Sequence, residues 1–153
     1  MVDVGDKVPA WQLTLADGRS LTSADLAGKR HILYFYPKAD TPGCTTEAQD
    51  FSALMPQFAA LGVPVIAVSK DPPAKLLKFQ QKYDLSVELA SDGDGELIAA
   101  MGVWVEKSNY GKKYMGIERS TFRIGADGRV EQVWRKVRVK GHAEAVCAVT
   151  GGA

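Results

Sequence analysis

Residues 31–69 read HILYFYPKADTPGCTTEAQDFSALMPQFAALGVPVIAVS, and this stretch decides the fold. It opens on His31-Ile32-Leu33-Tyr34-Phe35-Tyr36, a dense apolar run stopped by Pro37. Such a run predicts a buried central strand. It closes on Val63-Pro64-Val65-Ile66-Ala67-Val68-Ser69, which predicts a second buried strand. Between them Ala48, Phe51, Met55, Phe58 and Leu61 recur at steps of three and four, predicting an amphipathic helix over 44–61. Pro56 falls inside that helix and is expected to kink or interrupt it.

Working outward, Trp11 to Leu15 alternates and meets Asp17-Gly18, a short strand running into a turn. Downstream come a helix over Ala74 to Tyr83, a short strand over Leu85 to Leu89 and a short helix over Gly95 to Met101. Ser120 to Ile124 and Val130 to Trp134, joined through Ala126-Asp127-Gly128-Arg129, predict a hairpin. Gly141 to Val149 predicts a closing helix, with Thr150 to Ala153 expected to fray. This order predicts an α/β fold of thioredoxin-like layout, a central mixed β-sheet flanked by helices.

The chain has 153 residues, the size of one domain, and no repeat or linker divides 1–153. Nineteen Lys plus Arg balance eighteen Asp plus Glu, so there is no basic field for nucleic acid. The apolar runs are too short to span a membrane. The opening MVDVGDKVPAW lacks the positive flank and apolar core of a secretory signal. Two cysteines, Cys44 and Cys147, make at most one bridge, so a reducing cytoplasm is the expected setting.

Tyr36 to Glu47 carries the chemistry. A buried strand ends at Pro37, a loop with Pro42 and Gly43 follows, and Cys44 starts a helix. That is the C-terminal edge of a sheet, where α/β folds place their sites. The first helical turn has unpaired N–H groups and partial positive charge, which favour a thiolate, the nucleophilic form of cysteine. The competing reading is a buried structural cysteine. Against it stand the shaped loop and the apparent place of Cys44 off the helix's apolar stripe. Spacing alone leaves the two evenly matched.

Pro37-x-x-x-Thr41-x-x-Cys44 matches the active-site signature of peroxiredoxins, and YFYPKADTPGCTTEAQDF resembles their Q-type subgroup, the bacterioferritin comigratory proteins. The likeness continues in Gly102-Val103-Trp104, in Tyr110 to Phe122, in Val133 to Val137 and in Val139 to His142. The resemblance implies a thioredoxin-like fold that reduces hydrogen peroxide and alkyl hydroperoxides without metal or organic cofactor. It implies that Cys44 is the peroxidatic cysteine, oxidised to sulfenic acid. Thr41 would bond the thiolate and the peroxide, Pro37 would shield the pocket, and Arg119 would hold the thiolate and polarise the peroxide. Without the resemblance Arg119 reads as a solvated strand residue or a partner of Glu118. Each role has a physical basis. O–O cleavage puts negative charge on the leaving oxygen, fixed donors stabilise it, and arginine stays charged at any working pH.

Many Q-type members carry a resolving cysteine five residues after the first, and here that position is Gln49. The alternative helical position is empty too, because Leu76 to Lys82 holds no cysteine. An external thiol (thioredoxin, glutaredoxin or glutathione) can then resolve the sulfenic acid, or Cys147 can do so within the chain or across two chains. Cys147, in an apolar helical patch, reads first as a core residue. The resemblance also implies a monomer.

Three rival functions compete with a peroxidase. A dithiol oxidoreductase needs Cys-x-x-Cys, which Cys44-Thr45-Thr46-Glu47 does not supply. A Cys-His hydrolase and a non-catalytic, chaperone-like module are the others. His31 and His142 read as surface or capping residues. Asp92-Gly93-Asp94-Gly95-Glu96 reads as a helix-capping turn and not a calcium loop. Arg135, Lys136, Arg138 and Lys140 read as a solvated face, and Trp11, Trp104 and Trp134 as core or pocket wall.

Overall fold

The computed structural model describes residues 2–152. Nine strands form in chain order: β1 (Gln12–Leu15), β2 (Ser20–Thr22), β3 (His31–Phe35), β4 (Val65–Ser69), β5 (Glu88–Ser91), β6 (Trp104–Asn109), β7 (Lys112–Ile117), β8 (Ser120–Ile124) and β9 (Val130–Trp134). Four α-helices accompany them: α1 (Pro42–Ala60), α2 (Pro73–Tyr83), α3 (Glu96–Ala100) and α4 (His142–Gly152). The main sheet runs β2-β1-β5-β4-β3-β8-β9, and β6 pairs only with β7. β3 is parallel to β4 and β4 to β5, whereas β8 is antiparallel to β3, so the sheet is mixed as expected.

β3 is buried along its whole length, and its pleat divides the core. Ile32, Tyr34 and Tyr36 enter one cluster with Ala48, Phe51 and Phe58 of α1, Leu76 and Phe79 of α2, and Val146 of α4. Leu33 and Phe35 enter the other with Trp11, Leu26, Leu97, Ile98 and Phe122. Covering both faces explains why β3 and β4 read as unbroken apolar runs.

α1 does not break at Pro56. Proline removes the N–H that would meet the carbonyl four residues back, at Ser52. Here the Ser86 hydroxyl donates to that carbonyl at 3.0 Å, while the Ser52 hydroxyl accepts the N–H groups of Ser86 and Val87, each at 3.1 Å. A neighbouring segment thus supplies the donor that the helix lacks. Pro56 itself is exposed, so its ring meets no packed wall.

Other expectations are corrected. The strand expected at Leu85 to Leu89 begins at Glu88, because Asp84 adopts φ 51° and caps α2, and the Leu85 N–H bonds back to Gln80. α4 continues to Gly152, with Thr150 buried and its hydroxyl donating to the Val146 carbonyl at 2.7 Å. Of the tail expected to fray, Ala153 lies outside the described residues. His31 and His142 are both buried, His31 with Nδ1 2.9 Å from the Lys29 carbonyl and His142 with Nε2 2.7 Å from the Thr121 hydroxyl. Trp104 is exposed beneath the Lys70 ammonium, 5.2 Å from its ring. Arg135 is not simply solvated: it donates to the Val2 carbonyl at 2.7 Å and lies over Phe122. The turn at Asp92 does cap α3, its carboxylate accepting the Ile98 N–H at 2.8 Å. Among the described residues no helix is long and apolar enough to cross a membrane.

Candidate active site

The topology explains why residues 75 apart in sequence meet. β3 ends at Phe35, and its antiparallel neighbour β8 begins at Ser120, directly opposite Phe35. Arg119 stands one residue before β8, so it emerges where the loop from β3 to α1 begins. That loop is pinned at several points. The Tyr36 N–H donates to the Val68 carbonyl at 3.1 Å. The Ala39 N–H donates to the Asp71 carboxylate at 2.8 Å, which also accepts the Ser69 hydroxyl. Asp40, at φ 60°, accepts from the Tyr83 hydroxyl at 2.7 Å and the Lys82 ammonium at 3.0 Å. A loop held by β4 and α2 fixes where α1 starts.

Thr41 is the N-cap of α1, and Pro42 takes the first helical position, where a missing N–H costs nothing. The N–H groups of Gly43 and Cys44 have no partner among the described residues. Cys44 is 2% exposed. It lies on the buried face of α1 with Glu47, Ala48, Phe51 and Phe58, which corrects its expected place off the apolar stripe.

Arg119 Nη2 donates to Cys44 Sγ at 3.3 Å, and Nη1 donates to Glu47 Oε1 at 2.6 Å. Its partner is therefore Glu47 and not Glu118. Gly43 makes room for this: a Cβ there would stand 3.3 Å from Arg119 Nη2. The Thr41 hydroxyl donates to the Lys38 carbonyl at 2.8 Å, so its proton is committed to the loop and its oxygen stays an acceptor. Pro37 is exposed, two residues beyond the end of β3. Gln49 is also exposed. Both cysteines are free. Cys147 is half-buried on α4, against the cluster that holds Cys44, and burial pushes its thiol up.

The sequence reading missed Glu47. An acid in a helix ordinarily reads as solvated, but three residues after Cys44 it shares the buried face. Its Oε2 and the Tyr34 hydroxyl are buried without a partner among the described residues. Burial pushes the Glu47 carboxyl up to about 7, with Arg119 opposing and Asp50 adding to the rise. The folded chain therefore holds a proton there that the unfolded chain releases, so the Glu47 contribution to stability falls as pH rises from 4.5 towards 7. His142 works the other way: burial, aided by Arg119, lowers it to about 4, and its contribution is lost as pH falls below 6.5. Glu47→Gln removes only the first effect. Urea unfolding at pH 5 and pH 8 should show the variant gaining roughly 2 kcal/mol on the parent at the higher pH. An equal difference at the two pH values would mean that burial does not hold the Glu47 proton.

The AhpC/TSA family profile matches residues 4–133. Peroxiredoxin Bcp of Bacillus subtilis is 47% identical over 146 residues, 95% of this chain and 93% of the relative. Peroxiredoxin Bcp of Xanthomonas campestris is 47% identical over 136 residues, 89% of this chain and 85% of the relative. A structure of the Xanthomonas campestris bacterioferritin comigratory protein, from trapped intermediate/ligand complexes bearing on its alkyl peroxide reduction, superposes with a TM-score of 0.91. It is 43% identical and covers 98% of each chain.

Proposed function

The chain belongs to the AhpC/TSA family as a Q-type, Bcp-like peroxiredoxin, and from that premise we propose that it runs a one-cysteine cycle on Cys44, with an external thiol as reductant. As a peroxiredoxin it is a thiol-dependent peroxidase of thioredoxin-like fold. The observation that carries the proposal is the 3.3 Å approach of Arg119 to a buried Cys44, with Gln49 and not cysteine five residues on.

In the first step the Cys44 thiolate attacks one peroxide oxygen. An S–O bond forms, the O–O bond breaks, and the leaving alkoxide or hydroxide takes a proton. Cys44 loses two electrons and becomes sulfenic acid. Arg119 holds the thiolate and meets the developing charge, with the free N–H groups of Gly43 and Cys44 as further donors. The Thr41 oxygen accepts the hydroperoxide O–H, its own proton being given to Lys38. Pro37, two residues beyond β3, brings no N–H to compete for the substrate. In the second step a thiol attacks the sulfenic acid, water leaves, and a second thiol frees Cys44.

The raised Cys147 thiol supports an external reductant, because attack needs thiolate. Thioredoxin, glutaredoxin with glutathione, and glutathione alone are the candidate reductants. Residues 1–153 act as one catalytic domain, and the family resemblance carries a monomer. Two free cysteines suit a reducing cytoplasm. Peroxide consumption under excess peroxide tests the cycle with each reductant in turn. Cys147→Ser is expected to keep turnover within about twofold of the parent. Loss of steady turnover in that variant, with a first oxidation of Cys44 intact, would assign resolution to Cys147.

A further inference from the structure

The loop from β3 to α1 turns over Lys38-Ala39-Asp40-Thr41, and the Thr41 hydroxyl closes that turn on the Lys38 carbonyl at 2.8 Å. Asp40, third in the turn, sits at φ 60°. A positive φ at the third position is what a type II turn requires, and glycine or asparagine is the usual residue there. Aspartate carries a Cβ and a charge into that conformation, and α2 receives the charge. The Tyr83 hydroxyl donates to Asp40 Oδ1 at 2.7 Å, and the Lys82 ammonium donates to Oδ2 at 3.0 Å. Both donors stand at the C-terminal end of α2. Tyr83 is itself fixed: its ring meets Phe79 edge-on at 5.7 Å, and the Lys82 ammonium lies over it at 5.3 Å. Phe79 is buried in the cluster that holds Tyr36 and Cys44. The second residue of the turn is anchored too, by the Ala39 N–H on Asp71. Both middle residues of the turn are thus tied to other parts of the fold. Its last residue is Thr41, the N-cap of α1, three residues before Cys44.

We propose that Asp40 is a positioning residue for peroxide reduction: clamped by Tyr83 and Lys82, it fixes the turn that presents the Thr41 hydroxyl oxygen to the hydroperoxide. The inference rests on the peroxidase reading above and concerns its first step alone. Asp40 acts through Thr41 and not on the reacting atoms. Thr41 accepts the hydroperoxide O–H and so orients the oxygen that the Cys44 thiolate attacks. A misplacement of about 1 Å in such a group can cost up to roughly 100-fold in rate. The second step, attack of a thiol on the oxidised sulfur, does not use the Thr41 oxygen, so the clamp has no part in it. The Tyr83 hydroxyl is the stronger half of the clamp. The Lys82 pair is exposed, and exposed pairs contribute little.

The test measures the two steps separately. Stopped-flow mixing with hydrogen peroxide gives the rate of Cys44 oxidation, and mixing the oxidised protein with 2-mercaptoethanol gives the rate of its reduction. Asp40→Ala is expected to slow oxidation by about tenfold and to leave reduction within about twofold of the parent. Tyr83→Phe keeps the ring against Phe79 and removes only the hydroxyl, so about a threefold loss in oxidation is expected. Asp40→Asn accepts the Tyr83 hydroxyl and tolerates positive φ, so it should restore oxidation to within about twofold of the parent. Asp40→Gly accepts the φ but lacks the clamp, and should still lose about threefold or more. Oxidation unchanged in Asp40→Ala and Tyr83→Phe overturns the assignment. So does recovery in Asp40→Gly, or an equal loss in both steps, which would mark a general loosening of the fold. Each of these leaves the peroxidase reading intact. Absence of Cys44 oxidation in the parent would instead overturn the peroxidase reading, and this inference with it.

Discussion

Replacing Cys44 with serine should reduce peroxide consumption to the uncatalysed rate. The thiolate is the attacking atom, and a serine hydroxyl stays protonated at neutral pH with no general base beside it. The carboxylate that shares Arg119 with it, Glu47, is bonded to that arginine and burial favours its neutral form. The side chains are nearly isosteric, so the fold should hold, and urea unfolding checks that. Loss of turnover with unchanged stability separates the peroxidase from a chaperone-like module, which would not need the sulfur. Residual turnover in Cys44→Ser would place the reaction at Cys147.

Arg119→Met should lower kcat/KM for peroxide by roughly 100–1000-fold, the usual cost of losing a donor aimed at developing charge. Two bonds go at once, to Cys44 and to Glu47. The variant also leaves Glu47 buried without its cation, so that carboxyl should take up a proton more readily still. Arg119→Lys keeps the charge, but a single ammonium cannot fork to both partners, so an intermediate loss is expected. Stopped-flow measurement of Cys44 oxidation isolates this step from reduction. An Arg119→Met rate within a factor of about ten of the parent would reduce Arg119 to a structural partner of Glu47.

Much of this was legible in sequence for physical reasons. β3 and β4 are covered on both faces and therefore read as apolar runs, and the β8–β9 hairpin stands where its two runs and the Asp127-Gly128 turn between them put it. The β6–β7 hairpin was missed because it pairs only with itself and exposes most of both strands, leaving no alternation to detect. Its one local signal is the turn Tyr110-Gly111, where both residues have positive φ. β2 is three residues long and only partly buried, too short to register. α1 runs on through Pro56 because the missing donor is supplied by Ser86, a tertiary contact that no local window contains. At the site, the place of Cys44 at a strand-to-helix turn left a nucleophile and a structural cysteine evenly matched, and the family resemblance decided between them. Arg119 was legible only through family resemblance, since chain topology brings it to Cys44. Glu47 became meaningful only once its burial was seen.

The most direct measurement treats reduced protein with one equivalent of hydrogen peroxide in the presence of dimedone, then maps both cysteines by mass spectrometry. A one-cysteine cycle on Cys44 gives the dimedone adduct of sulfenic acid on Cys44 and an unmodified Cys147. A Cys44–Cys147 disulfide, or an adduct on Cys147 with Cys44 untouched, would contradict it.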